Sequence, residues 1–317
     1  MSTTRPASLP PDREDYIDRA GGRLRYAVWK APGTPRGTVV LVHGRGEFIE
    51  KYAMEVAGEL RERGLTLYAI DIRGQGLSTR MLPDHDKGHI DDFSTYVADL
   101  AALLETVVAP EAPQPRLLFS HSTGGNIALR YLVAEGCRHF AAAVFSSPMT
   151  GLPKAWLIRA AATVLGLIPG ANAWYAPGTG PYDPKAHPFA TNDVTHDPRR
   201  FDFTRQWFAA DLRLALGGPT IGWLRASFRS FDVLNAPGSL EAIAIPTLIV
   251  SGTDDTVVDT ATHLTAVARI PGAEHAVIDG ARHELLMETD PRRAQFWAAF
   301  DRLAARVLQS QNSGQEG

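Results

Sequence analysis

Thr38 to Val42 reads Thr-Val-Val-Leu-Val, the kind of unbroken apolar run that a strand covered on both faces requires. It ends at His43-Gly44-Arg45-Gly46. Tyr52, Val56 and Leu60 then recur at the helical period, and Gly64 supplies a stop. The cycle repeats. Leu65 to Ile70 predicts a strand, and Val97, Leu100, Leu103 and Leu104 mark a helix. Arg116 to Ser120 predicts the next strand, Ile127, Leu129 and Leu132 the helix behind it, and Ala141 to Phe145 another strand. Apolar strands alternating with helices predict an α/β fold, a mostly parallel sheet flanked by helices.

The rhythm breaks after Ser147-Pro148 and resumes at Ile245 to Val250, with a last candidate strand at Ala276 to Ile278. Between them lie Trp156, Leu157, Trp174, Tyr175, Trp207, Phe208, Trp223 and Phe228, among them four of the six tryptophans of the chain. The simplest organisation is a core formed by residues 1–147 and 239–317, with a helical cap at 148–238 inserted over the carboxyl edge of the sheet. Residues 1–15 and the tail from Gln309 to Gly317 are polar and read as loose arms.

Composition narrows the function classes. Hydrophobic residues make up 44% and charged residues 21%, ordinary for a globular protein. The balance of 32 Lys+Arg against 35 Asp+Glu gives −3, with no basic surplus for phosphate backbones, so no nucleic-acid partner is expected. Cys137 is the only cysteine, which rules out an internal disulfide and a thiolate metal cluster. The start carries no secretory pattern, and no apolar run approaches roughly 20 residues. A soluble cytoplasmic protein is the expectation.

The chemistry centres on Leu117-Leu118-Phe119-Ser120-His121-Ser122-Thr123-Gly124-Gly125, a strand entering a helix with a serine at the turn. Such a turn exposes the serine and aims helix N–H groups at developing negative charge. Its partners follow in the order serine, acid, histidine, each after a later strand. Ser251-Gly252-Thr253-Asp254-Asp255 offers the acid, Asp255 with Asp254 and Asp259 as rivals, and Asp279-Gly280-Ala281-Arg282-His283 offers the base. His275 is placed before the last strand, His263 in a helix, His85 and His89 in a polar loop, and His43 and His121 beside the site in structural roles. The backbone N–H groups of Arg45 and Thr123 are the candidate oxyanion donors. Asp71 is read as a loop carboxylate pairing near Arg73.

From about Arg23 to Leu308 the chain resembles the α/β-hydrolase superfamily, and within it the bacterial lysophospholipase and monoacylglycerol lipase branch, also filed as serine aminopeptidase-like hydrolases. The resemblance is carried by His43-Gly44-Arg45-Gly46-Glu47, the Asp71–Ser78 loop, Gly88-His89-Ile90 and Gly280-Ala281-Arg282-His283-Glu284. Leu216-Gly217-Gly218-Pro219-Thr220 points to the lysophospholipase side. It implies Ser122, Asp255 and His283 as the triad and 148–238 as the cap. Ser120 stands where the family pattern has glycine.

These readings converge on a cofactor-independent serine hydrolase of carboxylic esters. An apolar cap suits an acyl chain and favours lysophospholipids or monoacylglycerols, with Trp156, Trp207 and Trp223 lining the pocket; transient contact with a membrane surface is left open. One rival is an aminopeptidase-like amide hydrolase, whose substrate amine would need Asp193, Asp197, Asp202 or Asp211. The other is a noncatalytic small-molecule receptor on the same fold.

Overall fold

A computed structural model describes residues 5–186 and 188–310. Its eight strands are β1 (Arg13–Arg19), β2 (Gly22–Trp29), β3 (Gly37–Val42), β4 (Leu65–Ile70), β5 (Arg116–His121), β6 (Ala142–Ser146), β7 (Thr247–Gly252) and β8 (Glu274–Ile278). They form one sheet in the order β1-β2-β4-β3-β5-β6-β7-β8. From β4 to β8 all neighbours are parallel, and the β1–β2 hairpin joins β4 antiparallel.

Why the central strands are apolar throughout follows from their two neighbours. Val39 and Leu41 face one buried cluster, with Tyr52, Leu60, Phe296 and Phe300. Val40 and Val42 face another, with Phe93, Leu100, Ile127 and Leu132. Alternate side chains of one strand thus feed two cores, as the pleat dictates.

The helices are α1 (Ile49–Ala53), α2 (Val56–Glu62), α3 (Phe93–Leu103), α4 (Ala109–Glu111), α5 (Thr123–Glu135), α6 (Ala155–Leu165), α7 (Pro198–Ala210), α8 (Ile221–Asn235), α9 (Ala261–Arg269) and α10 (Asp290–Ser310). The helix expected from Tyr52 to Gly64 is in fact two, broken at Glu55, whose carboxylate gathers Arg199, Arg200 and Arg293. A π turn over Leu104–Val108 joins α3 to α4. The stretch Phe93–Glu111 has the length and hydropathy of a membrane span, with half of it buried inside the protein as core.

Two expectations at the ends need correction. The N-terminal arm is anchored: Leu9 N–H donates to Ala53 O at 2.9 Å, Trp29 Nε1 donates to Leu9 O at 3.0 Å, and β1 begins at Arg13. At the other end Gln309 lies within α10, and residues 311–317 fall outside the described residues.

The segment between β6 and β7 contains α6, α7 and α8 and, among the described residues, no strand beyond isolated bridges of Gly88 with Pro219 and Tyr175 with Thr220. Two aromatic contacts are among those that fix it to the core. Trp223 of α8 packs on Phe93 with ring centroids 5.9 Å apart, and Trp207 and Phe208 of α7 pack on Phe48.

Candidate active site

Ser122 joins β5 to α5 at φ 51°, ψ −118°, a conformation that costs an L-residue strain and turns the hydroxyl out of the sheet. The surroundings enforce it. A Cβ on Gly124 would lie 2.1 Å from Val42 O, and one on Gly125 would lie 2.6 Å from Pro148 Cβ. Only glycine lets α5 start this close to β3 and to the chain leaving β6. Ser120, the departure from the usual glycine, fits with its hydroxyl buried and without a hydrogen-bond partner.

His283 follows β8 and reaches Ser122. Its Nε2 is 2.9 Å from Ser122 Oγ, and its Nδ1 is 2.8 Å from Asp255 Oδ2. The free Asp255 oxygen accepts the N–H groups of Val257 and Val258 at 2.9 and 3.2 Å. Burial raises the Asp255 carboxyl, but the His283 contact and these two N–H donors outweigh it and hold the pKa below the ordinary aspartate range. The carboxylate is therefore ionised at neutral pH and fixes the ring with its proton on Nδ1, leaving Nε2 to accept from serine. Of the rival acids, Asp254 accepts from the Thr253 hydroxyl and Asp259 from Ala261 N–H; neither faces His283.

The loop after β3 lies directly against the serine. A Cβ on Gly44 would come 3.1 Å from Ser122 Cβ. Glu47 Oε2 accepts Gly44 N–H at 2.5 Å and Gln75 Oε1 accepts Gly46 N–H at 2.5 Å, so the loop is clamped on both sides of Arg45. The N–H groups of Arg45 and Thr123 find no acceptor among the described residues. Two free donors beside a serine hydroxyl are what a developing oxyanion needs.

Glu47 belongs to a buried polar cluster that motif reading alone does not reveal. Its carboxylate also accepts from Tyr52 Oη and Lys51 Nζ, each at 2.7 Å, and Lys51 Nζ is 2.7 Å from Glu284. His121 Nδ1 stands 3.1 Å from Glu47 Oε1, and its Nε2 is 3.3 Å from His283 O. Burial pushes Glu47 up and the neighbouring His121 and Lys51 pull it down further, leaving it well below the usual glutamate range. The one signal in the sequence is Lys51 four residues after Glu47.

The remaining sequence candidates fall elsewhere. Asp71 pairs with Arg25 at 3.2 Å and lies 3.4 Å from His43, while Arg73 pairs with Asp99; the expected Asp71–Arg73 pair does not form. Electrostatics favours this arrangement, since Arg25 is buried and needs the counter-charge. His275 lies inside β8 rather than before it, and with His263 it shares the Ser251 hydroxyl. His89 bonds Thr220 and Asp91. Of the expected pocket tryptophans, Trp156 stands 77% exposed on α6, whereas Trp207 and Trp223 are buried in the contacts that tie the insertion to the core. Among the described residues no three His, Cys, Asp or Glu side chains converge as a metal ion would require.

Residues 33–290 match the family described as serine aminopeptidase, S33. Lysophospholipase L2 of Escherichia coli (strain K12) is 35% identical over 284 residues, covering 86% of this chain and 81% of that protein. The monoacylglycerol lipase of Mycolicibacterium smegmatis is 28% identical over 283 residues, covering 84% and 91%. Among solved structures, a soluble variant of the monoglyceride lipase of Saccharomyces cerevisiae matches with TM-score 0.72 at 18% identity, covering 97% of this chain and 99% of that one. The monoacylglycerol lipase of Paleococcus ferrophilus gives 0.67 at 23%, covering 89% and 98%. At these identities the solved structures speak for the fold.

Proposed function

The chain belongs to the serine aminopeptidase, S33 family of α/β-hydrolases, and from that premise we propose that it hydrolyses carboxylic esters of single-acyl-chain lipids. The observation that carries this reading is the hydrogen-bonded series Ser122–His283–Asp255 beside two unoccupied backbone N–H groups. The lysophospholipase and monoacylglycerol lipase relatives supply the ester and its lipid character.

In this reading Ser122 Oγ attacks the ester carbonyl as His283 Nε2 takes its proton. The carbonyl oxygen gains negative charge between the Arg45 and Thr123 N–H groups, each donor worth roughly 10²–10³ in rate. His283 then protonates the departing alcohol. Water, deprotonated by the same nitrogen, attacks the acyl-enzyme and releases the fatty acid. Asp255 stays ionised throughout and stabilises the transient imidazolium.

Residues 148–238 cap the site. Val194 O accepts Glu284 N–H at 2.9 Å, beside the base, and Gly217 O accepts from the Arg45 guanidinium, beside the oxyanion loop. Trp156, Leu157, Val164 and Leu167 lie exposed along and just beyond α6, which suits transient contact with a lipid surface. The free thiol of Cys137 suits a reducing compartment, and the cytoplasm is the proposed place of work.

The amide reading finds less support. Asp197 and Asp211 are engaged by Arg200 and Arg213, each at 2.6 Å, and Asp202 by Gln206, so three of the four carboxylates suggested for a substrate amine are occupied. Measuring kcat/KM over acetyl to dodecanoyl p-nitrophenyl esters, a monoacylglycerol, a lysophospholipid and a dipeptide amide tests the proposal. Efficiency should climb from acetyl to at least octanoyl, since each buried methylene is worth about 0.8 kcal/mol. A preference for acetyl over octanoyl, or for the amide over every ester, contradicts it.

A further inference from the structure

We infer that the Arg45 side chain reads an anionic group on the substrate, the phosphodiester of a lysophospholipid, and thereby sets head-group preference. The inference rests on the ester-lipase reading above and deepens it.

Arg45 carries two functions on one residue. Its backbone N–H is a candidate oxyanion donor, and its guanidinium runs into the junction between the oxyanion loop and the insertion. There Nη2 donates to Gly217 O, the guanidinium carbon lies 5.6 Å from the centre of the Trp223 ring, and Nε is buried with no acceptor. The junction is shaped for it. A Cβ on Gly88 would stand 2.5 Å from Nη2.

What the guanidinium lacks is a carboxylate. Arg45 as a whole is half-buried, with its Nε enclosed. Of the five fully buried arginines, Arg25, Arg73, Arg200 and Arg293 each face one or more acidic side chains within 3.3 Å, and Arg116 bonds the backbone carbonyls of Ala109 and Ala112. Among the described residues no acidic side chain stands within ion-pair distance of Arg45. Burial without a counter-charge pushes its pKa down to about 10, so it still carries its proton at neutral pH. A cation held in that state is costly alone and gains when an anion arrives. Arginine is also the side chain best matched to phosphate, with five donors of which Gly217 uses one.

The distances suit a glycerol lipid. From the Arg45 backbone nitrogen to its guanidinium carbon, the path has the same number of bonds as the path from the ester carbonyl carbon of a lysophospholipid to its phosphorus. Both extend to roughly 7 Å at most. A lipid whose carbonyl oxygen is held at the Arg45 N–H thus has the reach to bring its phosphodiester to the same residue's guanidinium. A monoacylglycerol has only a hydroxyl there and gains much less.

The test is a ratio, measured in the full chain: kcat/KM for palmitoyl lysophosphatidylglycerol divided by kcat/KM for monopalmitoylglycerol. Any general loss from a disturbed oxyanion loop cancels in it. Arg45→Met should lower the ratio about tenfold to hundredfold, the worth of a charge-assisted hydrogen bond, and Arg45→Lys should restore part of it. Should Arg45→Met fail to fold, Arg45→Lys alone still decides, because the shorter point charge should lower the ratio severalfold. A ratio within twofold of wild type in every folded variant overturns the inference while leaving the ester-lipase reading intact. A wild-type enzyme that cleaves neither lipid overturns both.

Discussion

The Glu47 carboxylate accepts the Gly44 backbone N–H at 2.5 Å, one residue before the proposed oxyanion donor Arg45. The same carboxylate is buried and held by Lys51 and Tyr52, so its position is fixed by the core rather than by solvent. A buried glutamate thus sets the loop that faces Ser122.

Removing that clamp should slow chemistry more than binding. Glu47→Ala is expected to lower kcat about 10- to 100-fold, less than the roughly 10²–10³ of losing an oxyanion donor outright, with KM little changed. Glu47→Gln keeps an acceptor for Gly44 and should retain most of the activity. Steady-state kinetics on an octanoyl ester, normalised by active-site titration, separates the two. Equal losses in both variants would show that charge, not the Gly44 contact, is what matters.

The acid is the next point of decision. Asp255→Asn should reduce turnover about 10⁴-fold, because an amide in that position favours the wrong imidazole tautomer. Asp254→Asn, which loses only an exposed contact with Thr253, should stay within a few-fold of wild type. A reversal of that order would move the triad acid to Asp254.

Stability should depend on pH through buried histidines. His263 Nδ1 lies 2.7 Å from Ser251 Oγ and Nε2 lies 2.8 Å from Pro148 O, and burial pushes its pKa down to about 4. In the unfolded chain the ring titrates near 6.5. Its contribution is therefore complete above about pH 6.5 and lost as pH falls toward 4, about 3 kcal/mol in all. His275, also lowered by burial, acts in the same sense. His121 acts oppositely: burial lowers it, Glu47 raises it further, and its contribution is lost as pH rises through its folded value. His263→Gln should flatten unfolding free energy against pH between 4 and 6.5 in urea titrations. An unchanged slope would contradict this.

Two glycines offer a paired test of packing. In Gly124→Ala the new methyl meets Val42 O at 2.1 Å and His43 O at 2.5 Å, both backbone atoms at the carboxyl end of β3, so the cost should reach about 3 kcal/mol or more. Gly58, in α2, has nothing within 4 Å of its Cβ position, and Gly58→Ala should stabilise by up to about 1 kcal/mol. Urea midpoints of both variants measure the difference.

The parts of this fold that the sequence makes legible are those where one physical demand dominates. Strands β3 to β7 are covered on both faces, so their apolar runs stand out. Strand β1 pairs on one side only and reads Arg-Glu-Asp-Tyr-Ile-Asp-Arg, which carries no such run. The serine, histidine and acid can be found because each follows a strand in a fixed order. The Glu47–Lys51–Glu284–His121 cluster cannot, because its members come together only after β5 and the loop beyond β8 have packed. Composition shows that the insertion is aromatic, but not that Trp207 and Trp223 are consumed in packing while Trp156 faces outward.

Whether Ser122 is a nucleophile activated by His283 is decided by labelling the full chain with a fluorophosphonate and mapping the modified residue by mass spectrometry. A single phosphonylated residue, Ser122, is expected, with labelling abolished in Ser122→Ala and slowed at least a hundredfold in His283→Ala. Label on another serine, or ester turnover above about a tenth of wild type in Ser122→Ala, would contradict it.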